Sequence, residues 1–308
     1  MDTGPAIAAI DCGTNSTRLL VADANGQPLV RLMRITRLGQ GVDATGRLAP
    51  EAIERCLAVL REFRGVMDVH GVGRGRLAAT SAARDAANGD DFLSAAAEIT
   101  GLRAELLSGR EEGRLSMAGA VADLDLEDGP FLVVDIGGGS TELVSGEGPD
   151  DPDLVAVSLQ MGCVRVSERF FDEDPPLVGE LEDAVRDVAA QLETAVEHNP
   201  RFFDARRLVG LAGTVSTLAS LQLGLETYER DRVHHAVLAS TDVERWYHLL
   251  AADTAAERLA RPGMVPGRED VIVGGALILD AVLRRFGFAE CLVSEADILD
   301  GLVASQLA

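Results

Sequence analysis

Apolar runs and turn residues alternate along the chain in short blocks. Residues 6–11, 18–23 and about 28–38 read as successive strands, with Asn25-Gly26 as a hairpin signal, and Pro50 to about Val69 spaces its apolar residues as an amphipathic helix. A short strand at Arg76–Thr80 then enters Ser81-Ala82-Ala83-Arg84, followed by a helix near Phe92–Thr100, a strand near Arg103–Leu107 and a helix from Ser108. Helical periodicity stops in the acidic stretch Asp123–Pro130, which reads as a linker. Beyond it come a strand-turn-strand from Leu132, a strand near Leu154–Leu159, and helices at Gly162–Phe171 and Val178–Glu197, parted by Pro175-Pro176. A strand at Arg207–Leu211 runs into Ala212-Gly213-Thr214 and another helix. The pattern closes with a helix around Val271–Phe286, the strand Cys291-Leu292-Val293 and a final helix from about Asp297.

Two blocks share a local grammar. Ala8-Ala9-Ile10-Asp11-Cys12-Gly13-Thr14-Asn15-Ser16 and Leu132-Val133-Val134-Asp135-Ile136-Gly137-Gly138-Gly139-Ser140-Thr141-Glu142 each run an apolar strand into an aspartate and a tight glycine turn, and the apolar pattern resumes at once. Backbone N–H groups of such a turn can close on phosphate oxygens, while the aspartate at its lip can hold a cation. Either turn alone reads equally well as an ordinary strand connection; the recurrence points to a duplicated lobe and a two-sided phosphate clamp. The boundaries implied are a first lobe over 1–124 and a second over 125–297.

The helix from Ser108 has a legible start. Ser108-Gly109-Arg110-Glu111 fits a capping box, with Ser108 accepting a first-turn N–H and Glu111 reaching back to the cap. Glu112, about 100° further round the axis, is left with no structural task. It reads as either a solvated surface acid or a working one. Gly213 at the strand-to-helix junction permits a ligand near a helix N-terminus, or simply tight packing.

The chain has 308 residues, 47% of them hydrophobic, enough for two cores. Nothing in it approaches a membrane-spanning run or a signal peptide, so a cytoplasmic enzyme is expected, with no membrane partner. Cys12, Cys56, Cys163 and Cys291 are too scattered for zinc or a disulfide framework and read as reduced, mostly buried thiols. His234-His235 reads as surface or structural without a metal role, because neighbours in sequence seldom face the same way. All 28 basic residues are arginine, set against 50 acidic ones. Through residue 124 there are 14 Arg and 16 Asp+Glu; the remainder holds 14 and 34, so nearly all of the net charge of −22 lies in the second half. That balance, with 4% aromatic residues, argues against nucleic-acid binding and allows a phosphate ligand only where arginines are focused.

Asp-x-Gly-x-Asn-Ser at 11–16, Ser-Gly-x-Glu-Glu-x-Arg-Leu at 108–115, Asp-Ile-Gly-Gly-Gly-Ser-Thr-Glu-Leu at 135–143, Met-Gly-Cys-Val at 161–164 and Gly-x-Ala-Gly-Thr at 210–214 occur in one order over nearly the whole chain. Together they resemble the exopolyphosphatase and guanosine pentaphosphate phosphohydrolase family. The resemblance implies an α/β fold of two ribonuclease-H-like lobes, as in the actin and sugar-kinase superfamily, with an interdomain active-site cleft and a last helix, 298–308, that packs back on the first lobe. It implies Glu112 as general base and Glu142 as an active-site acid that helps place water or metal. Longer members carry an extra helical region that holds long polymers, so the resemblance here is to the short, two-lobe members.

Within that frame, Asp135 is the first candidate ligand for Mg²⁺, with Mn²⁺ as a substitute and Asp11 assisting through water, because a hard cation prefers carboxylates. The amides of Gly137, Gly138, Gly139 and Ser140 are expected to grip phosphate in the second lobe, and Thr14, Asn15 and Ser16 in the first, with Gly213 and Thr214 as further contacts. Arg84 is a candidate phosphate fork beside the hydroxyls of Thr80 and Ser81, unless it pairs with Asp85. Arg31, Arg34 and Arg37 offer a polyphosphate track in which at most two share a strand face. The expected substrates are inorganic polyphosphate or guanosine pentaphosphate, and a homodimer is an open expectation. A small-molecule kinase and a non-catalytic nucleotide sensor are the alternatives on the same fold.

Overall fold

The structure is a computed structural model that describes residues 4–307. The chain divides into two compact units, Met1–Gly119 with Ile298–Ala308, and Ala120–Asp297. It leaves the first unit in the last turn of a helix, ahead of the acidic stretch, and returns at the last helix.

The first unit holds strands β1 (Ala6–Cys12), β2 (Ser16–Ala22), β3 (Pro28–Ile35), β4 (Val72–Ala79) and β5 (Arg103–Leu106) in the order β3-β2-β1-β4-β5. The helices α1 (Val42–Thr45), α2 (Pro50–Val69), α3 (Ser81–Asp85), α4 (Gly89–Thr100) and α5 (Gly109–Ala120) follow the strands, and α13 (Ile298–Ala304) joins from the far end of the chain. β1 and β2 are antiparallel, whereas β1-β4 and β4-β5 are parallel. Every residue of β1 is buried. Its alternate residues Ala8, Ile10 and Cys12 join the core with Leu57, Leu60 and Phe63 of α2, while Ala9 faces Leu299 and Leu302 of α13. Burial on both faces is why this strand reads as a continuous apolar run.

α13 is bound by more than apolar contact. Gln306 donates to the carbonyl of Ala8 at 3.1 Å, and Arg31 pairs with Asp300 at 2.6 Å. A Cβ on Gly301 would collide with the carbonyl oxygen of Leu115, so glycine lets α13 lie directly on α5.

The second unit holds β6 (Phe131–Ile136), β7 (Thr141–Gly146), β8 (Val155–Leu159), β9 (Arg207–Leu211), β10 (Val237–Ala239) and β11 (Glu290–Val293). Its helices are α6 (Cys163–Phe170), α7 (Val178–His198), α8 (Ala212–Leu223), α9 (Arg230–Val233), α10 (Ser240–Ala252), α11 (Ala255–Leu259) and α12 (Ile272–Phe286). The sheet runs β8-β7-β6-β9-β11, with β10 added outside β11. Apart from β10 this is the order of the first sheet, with the same sequence of antiparallel and parallel pairings. Both units are therefore ribonuclease-H-like α/β lobes. Among the described residues no helix is long and apolar enough to cross a membrane.

Candidate active site

The two glycine turns match residue for residue. Asp11-Cys12-Gly13-Thr14-Asn15-Ser16-Thr17-Arg18 and Asp135-Ile136-Gly137-Gly138-Gly139-Ser140-Thr141-Glu142 hold the same register, with Asp11 opposite Arg18 and Asp135 opposite Glu142. A Cβ on Gly13 would lie 3.1 Å from the carbonyl oxygen of Ser16, and one on Gly137 would lie 3.1 Å from that of Ser140. Each turn is thus closed over its own backbone.

Both turns are also held from behind through their carbonyls. In the second unit the first amides of α6 do this: Cys163 N–H donates to Gly137 at 2.9 Å, and Val164 and Arg165 donate to Gly138 at 2.9 and 3.1 Å. Arg165 Nε adds a bond to the carbonyl of Gly139 at 2.7 Å, and the Thr141 hydroxyl ties the turn to the carbonyl of Met161. Because a trans peptide plane points its N–H opposite its C=O, the amides of Gly138, Gly139 and Ser140 face away from α6. That orientation suits an anion. In the first unit Gly39 N–H takes the carbonyl of Thr14 at 2.9 Å, and the amides of Thr36 and Arg37 take that of Asn15 at 3.0 and 2.9 Å. Thr14 and Asn15 are buried, Ser16 is half-buried, and Nδ2 of Asn15 is a buried donor with no hydrogen-bond partner among the described residues. An orphaned donor at the lip of such a turn fits a phosphate oxygen.

Glu112 is 7% exposed in the first turn of α5, where the helix N-terminus favours a carboxylate. Ser108 accepts the N–H of Glu111 at 3.2 Å, as the cap predicts. The reciprocal half of the box is replaced: the Glu111 carboxylate is engaged by Arg76 of β4 at 3.4 Å. Arg84 pairs with Glu112 at 3.2 Å and donates to the carbonyl of Leu107 at 3.1 Å, both through NH1, which answers the alternative of a pair with Asp85. Its NH2 is buried with no partner among the described residues. Ser81 spends its hydroxyl on Asp85 at 3.4 Å, and Thr80, also buried, precedes α3.

The matched turns differ in charge at their ends. Asp11 is held by the fork of Arg18, with Nε at 3.0 Å and NH2 at 2.6 Å from one carboxylate oxygen. In the second unit, Asp135 and Glu142 are 7% and 1% exposed, and their cross-strand register puts two carboxylates side by side on one face of the sheet. Ser140 and Ser158 both donate to Glu142 Oε1, at 2.8 and 2.7 Å. Two buried carboxylates, one of them accepting from two hydroxyls, offer the oxygen donors that a hard dication takes. The oxygen donors of Asp135 and Glu142 fit Mg²⁺, and Asp11 is held by the Arg18 fork.

Other expected contacts have different employment. The left-handed residue at the β9-α8 junction is Ala212, with φ 65, and the Arg268 guanidinium occupies the space a Cβ on Gly213 would need. Thr214 is buried against Gly275 of α12 and hydrogen-bonds the Cys163 thiol. Arg31 and Arg34 are committed to Asp300 and to Glu62 of α2, at 2.6 and 2.5 Å, so these two members of the arginine series are spent on structure. Arg18, Ser158, Arg165 and Arg268 were missed in the sequence. Arg18 alone carried a signal, since aligning the two turns sets it against Glu142. All four cysteines are buried and free; burial pushes the Cys291 thiol up to about 12.

Residues 20–308 match the model of the Ppx/GppA phosphatase family. The chain is 43% identical to Exopolyphosphatase 2 of Mycobacterium tuberculosis over 315 aligned positions, covering 97% of this chain and 98% of that protein. A crystal structure of an exopolyphosphatase-like protein superposes with a TM-score of 0.92 at 38% identity, covering 98% of both chains. The Aquifex aeolicus Ppx/GppA family member superposes with a TM-score of 0.80 at 30% identity, covering 98% of this chain and 97% of that one. The chain belongs to the Ppx/GppA phosphatase family.

Proposed function

We propose that this protein is a phosphoanhydride hydrolase that releases terminal phosphate from inorganic polyphosphate, with guanosine pentaphosphate as a second substrate ending in the same anhydride. One observation carries the reading: buried Glu112 is held by Arg84, whose second terminal nitrogen is a buried donor without a partner among the described residues. A phosphoryl oxygen on that nitrogen brings a water at the phosphorus within reach of the carboxylate. The water oxygen attacks the terminal phosphorus, Glu112 takes its proton, and the bond to the bridging oxygen breaks, leaving a chain shorter by one phosphate. Asn15 and the amides of its own turn hold the charge that spreads over the phosphoryl oxygens. In the second unit Asp135 and Glu142 would hold Mg²⁺, which would supply charge neutralisation to phosphate gripped at their own turn.

Gly162 tests the grip. A Cβ there would overlap the carbonyl of Gly138, so Gly162→Ala must displace the phosphate turn. Misplacement of about 1 Å costs on the order of 10²-fold in rate, and that loss is expected in phosphate release. Gly179→Ala, at a site where nothing lies within 4 Å, should leave the rate unchanged. Equal rates in the two variants would remove the turn from the mechanism.

Charge sets the length preference. The first unit is near neutral and the second carries nearly all of the net −22, so a long polyanion meets repulsion that a short one escapes. Short polyphosphates are therefore the better substrates, and salt narrows the gap as the Debye length falls to about 8 Å at 0.15 M. The test is phosphate release from short and long polyphosphate, guanosine pentaphosphate and ATP at two ionic strengths. Preference for long chains would overturn the charge argument. ATP-dependent phosphorylation of an acceptor, or tight binding without turnover, would overturn the hydrolase.

A further inference from the structure

Away from the phosphate turns, the side chains of Asp123, His234 and His235 bring one ligand atom each to within 4.8 Å of one another. Consecutive residues on extended or helical backbone point apart, which is why the pair reads in sequence as without a metal role. The structure corrects the premise. His235 takes φ 62, a left-handed conformation that costs a non-glycine residue energy, and the two imidazoles stack with centroids 3.9 Å apart and planes inclined by 29°. The strained backbone is pinned: His235 N–H donates to Val293 at 2.7 Å, Val293 N–H to Ala236 at 2.9 Å, and Ala236 N–H to Val233 at 3.0 Å. Both rings are thereby turned towards one carboxylate. Asp123 Oδ2 lies 2.8 Å from His234 Nε2, and Oδ1 lies 3.5 Å from His235 Nε2.

We propose that Asp123, His234 and His235 form a second metal site, taking a borderline d-block dication such as Zn²⁺ through two imidazole nitrogens and one carboxylate oxygen. Imidazole selects against Mg²⁺, which keeps to oxygen, so this site and the Asp135-Glu142 pair divide the two classes of ion. Three protein ligands leave a fourth tetrahedral position for water, and the half-open setting admits it, with Asp123 and His235 side chains 47% and 38% exposed.

Loading has a definite proton cost. His234 Nδ1 accepts the N–H of Glu295 at 3.1 Å, so in the metal-free protein the ring hydrogen sits on Nε2 and points at Asp123. A dication takes that place. The neutral ring then carries its hydrogen on Nδ1, facing the Glu295 N–H, and that bond is given up on loading. The affinity is accordingly micromolar, below that of a site built in the metal-binding tautomer.

The test is calorimetric titration of metal-free protein with ZnCl₂ at pH 7.5, with Mg²⁺ in excess to fill oxygen sites. One Zn²⁺ per chain is expected, weakened at least about tenfold by His234→Ala, His235→Ala and Asp123→Asn. His235→Gly is the decisive variant, because glycine accepts φ 62 without strain: its melting temperature should equal or exceed the wild type while its Zn²⁺ affinity falls in the same way. Wild-type binding only at millimolar Zn²⁺, or binding by His235→Gly as tight as wild type, would overturn the site. Neither result depends on hydrolysis, so a failed phosphatase assignment leaves this one standing.

Discussion

Glu112→Gln is expected to cut phosphate release by about 10²–10⁴-fold, the usual loss for a missing general base. Glutamine keeps the length of the side chain and can still accept the Arg84 N–H at the position where the carboxylate is held 3.2 Å away. It cannot take a proton from water. Folding should survive with a modest drop in melting temperature, since an ion pair becomes a hydrogen bond in which only the arginine is charged. Glu111→Ala is the control, because Glu111 is one residue away but 51% exposed, and its pair with Arg76 is long at 3.4 Å. Pairs of that kind contribute about 0–1 kcal/mol, so this variant should keep its rate and nearly all of its stability. Equal losses of rate in the two variants, at unchanged melting temperature, would show that the first turn of α5 matters as a unit and that Glu112 has no separate role.

Asp135→Asn should separate stability from activity. In the wild type the buried carboxylates of Asp135 and Glu142 lie directly cross-strand on β6 and β7, where like charges repel. With EDTA present the variant should therefore be as stable as wild type or more so, by roughly 0.2–1 kcal/mol. Adding Mg²⁺ reverses the order. A ligand at about 100 times its Kd stabilises the protein that binds it by about 2.7 kcal/mol, and the amide variant should gain almost none of this. Phosphate release should fall by about 10²-fold or more, several kcal/mol of lost charge neutralisation at about 1.4 kcal/mol per tenfold. Differential scanning fluorimetry in EDTA and in Mg²⁺ reads the first effect and a phosphate assay the second. A wild-type protein that is fully active in EDTA, or a variant that gains as much from Mg²⁺ as wild type, would rule out the pair as the cation's ligands.

How much of this was legible in the sequence depended on whether the determining contacts are local. Strands buried on both faces, such as β1 and β6, announce themselves as apolar runs, and the duplicated turns could be read because each is closed by residues three apart. Cross-strand partners were harder. That Asp11 meets Arg18 while Asp135 meets Glu142 follows from register, and only alignment of one turn on the other exposes the exchange of charge. Glu111 shows the opposite limit: its spacing from Ser108 fits a capping box, but Arg76, brought up by β4, takes the carboxylate. Ala212 and His235 were illegible for another reason. Both adopt a left-handed backbone that glycine would signal and that tertiary hydrogen bonding or packing imposes on other residues. The glycine signal at Gly213 falls one position after the left-handed residue, Ala212.

The placement of α13 bears on the order in which the protein can be made. The second unit is a continuous stretch and can complete its core as soon as it leaves the ribosome, but the first unit cannot. Its sheet presents Ala9, Leu20 and Ala78 to a helix synthesised after the whole of the second unit, and the bond from Gln306 to Ala8 spans 298 residues. Until α13 emerges that apolar face stays uncovered or is shielded by a chaperone, the condition under which nascent chains aggregate. The glycine turn on β1 and the first turn of α5 belong to this unit, so their surroundings are complete only once α13 has emerged.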